Sequence, residues 1–223
     1  MCGRFSQAKD LEELYNEFTF IDEPFDDIIK PRYNIAPSQL SPVIINENGS
    51  NKLKMFKWGL VPSWSKDTKI GYSMINARAE TISEKPSFKK PFKSQRCLVI
   101  ADGFYEWQKP DKNTKIPHRF IMKDRKLFTM AGLWDLWNKE SEPLYTFTII
   151  TTSDNELMKP VHDRMPVILP KENREIWLNP ESNKAELKEL LVPYDSNKMD
   201  KYRVSDVVNS WKNDLPECFI SVS

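Results

Sequence analysis

The segment DLEELYNEF places Leu11, Leu14, Tyr15 and Phe18 three and four positions apart, which is the spacing of one apolar stripe on a helix. Asp10 stands where an N-cap belongs, and Glu13 follows three residues later, completing a capping-box pattern. Further on the period changes. PVIINENGSNKLKMFKWGL reads as two strands around an ENGSN turn, with Asn48-Gly49 as the turn signal. CLVIADGFYEWQ, HRFIMKD, KLFTMAGLWDLW and LYTFTIITT are rich in β-branched and aromatic residues and are separated by polar breaks such as PDKNTK and NKESEP. They predict strands of one mixed or antiparallel sheet system. Helices are predicted over Asp154 to Lys159, Lys171 to Leu178 and Lys184 to Leu191, with RMPVILP as a strand between the first two. No repeat, low-complexity tract or long linker divides the chain. The expectation is a single α+β domain over residues 1–223, with a strongly twisted, barrel-like mixed/antiparallel β-sheet core flanked by short helices.

Composition narrows the function classes. A chain of 223 residues with 39% hydrophobic and 29% charged residues can bury a sizeable core. No apolar run approaches the ~20 residues of a membrane span. The N-terminal stretch lacks the basic start and apolar run of a secretory signal, so a cytoplasmic protein without membrane attachment is expected. Cys2, Cys97 and Cys218 are odd in number and far apart, which fits free thiols in a reducing compartment. With only His118 and His162, and no H-E-x-x-H pattern, no metal is expected. Glycine-rich phosphate loops are missing too, so no cofactor is expected. A monomer is the working assumption.

The net charge is +1, but the charges are segregated. Asp10 to Asp27 carries eight acidic residues and no basic one, whereas KPSFKKPFKSQR, Lys85 to Arg96, carries five basic residues and no acid. That stretch is either a positive face for phosphate or a solvated lysine-rich loop.

Candidate chemistry begins at MCGRFS. If Met1 is removed, Cys2 carries an amine and a thiol on adjacent carbons, a pair that closes a thiazolidine ring on an aldehyde; the alternative is an incidental residue at a frayed end. With an α-amino pKa of about 7.7–8.0, only about 10–15% of the amine is neutral at pH 7, and loss of water from the carbinolamine needs an acid/base partner. Glu106, in DGFYEWQ, is either an outward strand residue or a desolvated acid suited to that task. His162, in VHDRMPVIL, sits at a loop junction and is either structural or functional. Asn76 and Arg78 in MINARAET share a face if extended, an amide to hold reacting atoms beside a guanidinium for phosphate. Trp58 and Trp64, in the turn-rich KWGLVPSWSKD, are either core residues or stacking platforms for an unpaired base.

MCGRFS, YNIAPSQ, KWGLVPSW, INARAET, ADGFYEW and VHDRMPVIL, in this order, resemble the motifs of the SOS response-associated peptidase (SRAP) family of abasic-site processing proteins. The resemblance runs from Cys2 to Leu169. It implies a sensor and shield of abasic sites in single-stranded DNA, in which Met1 is removed by an autopeptidase activity and Cys2 forms a covalent thiazolidine crosslink. Lyase activity is a further implied property. By the same resemblance Asn76 positions Cys2, Glu106 is the acid/base and His162 assists proton transfer at the opened sugar. Arg4, Arg78 and Arg164 would grip phosphates, Trp64 would stack near the lesion, and Thr151 and Pro37 would line the site. Some relatives carry two adjacent tryptophans where this chain has Trp64-Ser65. Two rival readings stand beside this one: a hydrolase with Cys2 as N-terminal nucleophile, and a non-enzymatic single-strand binder.

Overall fold

The computed structural model describes residues 2–22 and 29–222. The acidic run from Asp10 to Asp27 therefore lies partly outside the described residues. Thirteen strands and four α-helices are found among them, arranged as a five-stranded sheet and an eight-stranded sheet.

The first helix forms as its pattern predicts. α1 spans Leu11–Glu17, Asp10 accepts the Glu13 backbone N–H at 2.9 Å, the Glu13 carboxylate returns to the Asp10 N–H at 3.4 Å, and Leu14 is buried. The predicted hairpin is β3 (Leu40–Glu47) and β4 (Ser50–Trp58), paired from Leu40↔Lys57 to Glu47↔Ser50. Asn48 and Gly49 both have positive φ, 56° and 87°, as a tight two-residue hairpin turn requires.

β3 also pairs with β6 (Arg96–Ala101), β6 with β9 (Phe128–Trp137), β9 with β10 (Leu144–Ser153), and β10 runs parallel to β4. These five strands close a ring, which is the barrel expected from the sequence. β10 additionally carries β5 (Asn76–Arg78) and β11 (Arg164–Pro166), and β9 carries β12 (Ile168–Leu169). The second sheet has the order β13 (Met199–Arg203), β8 (Ile116–Met122), β7 (Gly103–Gln108), β1 (Arg4–Gln7), β2 (Arg32–Ile35). Alternation along the barrel strands separates two cores. Val43, Ile45, Val99, Met130 and Phe147 join Phe5, Phe104 and Phe120 of the other sheet, while Ile44, Leu98, Ile100 and Leu133 pack with Leu14, Phe92 and Trp177 under the helices.

Three expectations need correction. CLVIADGFYEWQ is not one strand: it breaks at Asp102, sending β6 into the barrel and β7 into the other sheet. Asp102 accepts from Ser6 Oγ at 2.5 Å, the Ala8 N–H at 2.9 Å and Arg119 Nη2 at 2.8 Å, while its own N–H donates to the Ser6 carbonyl. A buried carboxylate with that set of donors fixes the chain's change of direction. Residues 154–159 form turns rather than a helix: Asn155 Oδ1 caps the N–H groups of Leu157 and Met158 as an N-cap would, and the Lys159 N–H closes one turn on the Asn155 carbonyl, but the segment does not continue as a helix. RMPVILP splits around Val167 into β11 and β12, which pair with different strands.

The lysine-rich stretch is a helix, α2 (Pro86–Ser94), with proline in its first turn and Phe88 and Phe92 buried. Arg96, which follows it, is buried and donates to the carbonyls of Phe92, Lys93, Trp177 and Asn179. It therefore satisfies carbonyls at the C-terminal ends of both α2 and α3 (Lys171–Leu178), and is not part of a positive face. α4 covers Lys184–Glu189, two residues shorter than its pattern. Among the described residues, no helix is long and apolar enough to cross a membrane, and no cluster of three metal-ligating side chains occurs.

Candidate active site

Cys2 enters the structure two residues ahead of Arg4, where β1 begins its antiparallel pairing with β7 through Arg4↔Tyr105 and Phe5↔Phe104. That register brings the Cys2 end alongside Glu106, the residue after Tyr105. The terminus is not frayed at this point: Cys2 is fully buried and packs in the core cluster with Phe5, Trp58 and Met158.

β5 approaches from the barrel. It runs parallel to β10, with Asn76 opposite Ile149 and Arg78 opposite Thr151. Asn76 Nδ2 donates to the Cys2 carbonyl at 2.9 Å. The strand is held in place by Trp58, whose indole N–H donates to the Ile75 carbonyl at 2.8 Å and whose ring meets Phe5 at 5.1 Å between centroids. Of the two readings open for Trp58, the core one holds. It is also a positioning element that the sequence did not announce.

Glu106 is 4% exposed, so the inward reading applies. Its negative charge acts on Cys2. Burial first, and the neighbouring Glu106 second, push the Cys2 thiol well above its ordinary pKa. The resting thiol is therefore protonated, with its Sγ 3.9 Å from the Arg4 carbonyl. An amide and a carboxylate thus meet around Cys2 and its neutral thiol, each from a segment more than 70 positions along the chain from it.

His162 lies on the turn that leads into β11, following Val161, which packs in the cluster that contains Cys2. Its Nδ1 accepts the Arg164 backbone N–H at 3.0 Å, so in the neutral ring the proton is on Nε2. The exposed Asp163 carboxylate stands 3.0 Å from the same Nδ1 and becomes its partner when the ring is charged.

The candidate phosphate ligands differ in their commitments. Arg164 forms a fork with Glu80, Nη1 to Oε1 at 2.5 Å and Nη2 to Oε2 at 3.0 Å, and also donates to the Thr151 carbonyl at 2.6 Å. Its hydrogen bond holds the Glu80 carboxyl below its usual pKa. Thr151 is fully buried. Arg78 is exposed, next to this pair in the register. Arg4 is half-buried and donates through Nη1 to Asn34 Oδ1 at 2.9 Å and the Val208 carbonyl at 3.0 Å, with its Nη2 3.4 Å from the Asn209 carbonyl. Pro37 is half-buried in a turn in which Ser38 has φ 73°. Trp64 is 56% exposed, whereas Ser65 is buried and bonds the Asp67 carbonyl through its hydroxyl. Asn34, whose amide also binds the carbonyls of Val208, Ser210 and Asn213, was missed by sequence reasoning, and a lone asparagine in YNIAPSQ offers no signal for it.

The fold recurs in known proteins. The family model of SOS response associated peptidase (SRAP) matches residues 1–211. The abasic site processing protein YoqW of Bacillus subtilis (strain 168) is 52% identical over 219 residues, covering 97% of this chain and 98% of that protein. The abasic site processing protein HMCES of Xenopus tropicalis is 33% identical over 265 residues, covering 100% of this chain and 78% of its own length. A crystal structure of a Bacteroides thetaiotaomicron protein superposes with a TM-score of 0.89 at 33% identity, over the full length of both chains. The chain belongs to the SOS response associated peptidase family.

Proposed function

We propose that this protein detects abasic sites in single-stranded DNA and shields them by a covalent thiazolidine crosslink to Cys2. It acts in the cytoplasm as a monomer, without metal or cofactor. The family, and relatives named for abasic site processing, support the general activity. The observation that carries the specific reading is the meeting of Cys2, Asn76 and Glu106, with the Cys2 carbonyl in the grip of the Asn76 amide at 2.9 Å.

The reaction runs in three stages. Water first hydrolyses the Met1–Cys2 peptide bond, releasing methionine and leaving the Cys2 amine; we assign the proton transfers of this autopeptidase step to Glu106. The neutral amine then attacks the C1′ aldehyde of the ring-opened deoxyribose. The resulting carbinolamine loses water as an acid protonates its hydroxyl, giving an imine. Glu106 and His162 supply the proton transfers. Finally Cys2 Sγ bonds to the imine carbon while the S–H proton passes to nitrogen. The water consumed in trimming is separate: the union of the trimmed protein with the sugar releases one water, at the imine step, and ring closure expels nothing.

The protonated thiol supports this order. Before trimming, burial and Glu106 keep the thiol neutral; after trimming, the amine attacks the aldehyde first and the imine then gives the neighbouring thiol its electrophile. An imine left open also acidifies the C2′ proton and permits β-elimination, the lyase reaction, so ring closure is what shields the strand. Arg78, Arg164 and Arg4 hold phosphates, Trp64 stacks a base, and Thr151 and Pro37 shape the wall of the site.

The test is denaturing electrophoresis of Cys2→Ala after incubation with an abasic single strand. Loss of the heat-stable adduct, with strand cleavage in its place, is the expected result; an undiminished yield of adduct refutes the ring.

A further inference from the structure

The lysines of α2 have no part in the reaction above, and the helix presents them on a surface with a feature that phosphate alone does not require. Phe88 and Phe92 turn inward, while Lys85, Lys89, Lys90 and Lys93 are exposed and the helix carries no acid. Beside it, α2, the loop after α3 and α4 enclose a cleft of about 390 Å³. Its apolar lining includes Phe92, Leu187 and Pro180, and Lys89, Lys93 and Lys184 stand around it. Phe92 and Leu187 are each 2% exposed and form the packed base of the cleft. Glu181 is the one acid among the described residues that line it.

We propose that this cleft is a docking site for an acidic peptide segment of a partner protein that carries an apolar anchor residue. The anchor enters the space over Phe92 and Leu187, and flanking carboxylates meet the three lysines. Charge complementarity selects the partner class. Three exposed ammonium groups against one carboxylate attract acidic chain, and lysine stems lying along the cleft extend its apolar wall. A nucleic-acid backbone would use the lysines but leave the apolar floor unoccupied, so the acidic peptide accounts for both features. The surface would bring the protein to a partner without engaging Cys2.

The experiment is fluorescence anisotropy with the full chain, a fluorescein-labelled peptide of Asp and Glu residues ending in Phe, the same peptide ending in Ala, and an intact single-stranded oligonucleotide. The Phe peptide is expected to bind, with affinity that falls as salt rises and falls at least tenfold with the Ala ending. Reversing two exposed charges, Lys89→Glu with Lys93→Glu, is expected to weaken the peptide at least tenfold. The same variant should change oligonucleotide affinity and abasic crosslinking rate less than twofold. No binding of the Phe peptide, or binding indifferent to the anchor or to the two lysines, overturns the proposal. So does an equal loss of oligonucleotide affinity, which would make this surface part of the DNA path. Crosslinking by the wild-type protein is read separately, so the docking site and the Cys2 chemistry stand or fall independently.

Discussion

Asn76 donates its side-chain amide to the carbonyl of Cys2, joining the start of β5 to the start of the chain across a gap of 74 positions. The bond orients the residue whose nitrogen and sulfur are proposed to react. Removing it leaves both reacting groups present but poorly aimed. Asn76→Ala should therefore slow crosslinking at saturating DNA by about 5- to 100-fold, combining the loss of one hydrogen bond with misplacement of the nucleophile. Noncovalent affinity, measured with an intact oligonucleotide, should change little.

The state of the Cys2 thiol can be read directly. Burial and the Glu106 charge both disfavour thiolate, so its pKa is raised, and at any given pH the thiolate fraction is smaller than for a free cysteine. Iodoacetamide should modify Cys2 slowly at pH 8 to 9, without the rise that an ordinary thiol shows near its pKa of about 8.5. Glu106→Gln removes the negative neighbour, lowers the pKa and should accelerate labelling. A rate that falls in that variant would remove Glu106 from contact with the thiol. The same variant should slow crosslinking by about 10²–10⁴-fold if Glu106 is the acid/base.

Arg164 is held by Glu80 in a two-point fork, yet it is proposed to bind phosphate. The fork and the phosphate compete for the same N–H groups. Glu80→Gln should release the guanidinium, remove a repelling charge and tighten single-strand binding severalfold, with the gain shrinking at high salt. Weaker binding would mean that Glu80 holds Arg164 in its working position.

Asp102 and Arg119 form a buried ion pair at 2.8 Å, with side chains only 6% and 7% exposed, at the break between barrel and second sheet. Asp102→Ala takes the carboxylate from a buried guanidinium, leaving its Nη2 only Ser6 Oγ at 3.2 Å and the Asp102 carbonyl at 3.4 Å, and should cost about 3–5 kcal/mol by chemical denaturation. Because Asp102 also fastens β1 through Ser6 and Ala8, the loss should reach the crosslinking rate as well.

The elements legible in the sequence were those whose pattern is local. α1, the β3–β4 hairpin and α3 each carry their signal within a few residues: a capping box with an apolar stripe, an Asn-Gly turn, and a segment bounded by Pro170 and Asn179-Pro180. β1 and β5 have four and three residues, too few for alternation to register, and they exist because partners distant in sequence pair with them. Asp102 looked like one more residue in an apolar run, since its donors come from Ser6, Ala8 and Arg119. The site followed the same division. Cys2, Asn76, Glu106, His162 and the arginines were named through motifs. What distinguishes an inward Glu106 from an outward one, or an exposed Arg78 from an Arg4 tied to Asn34 and Val208, is tertiary packing that no window of sequence contains.

The most direct test of the central claim is intact mass spectrometry of the purified protein before and after mixing with an abasic single-stranded oligonucleotide. The account predicts a starting mass lacking one methionine, then a gain equal to the oligonucleotide less one water, with Cys2→Ala showing no such stable species. A protein that keeps Met1, or one trimmed to Cys2 whose mass is unchanged by the abasic strand, would contradict it.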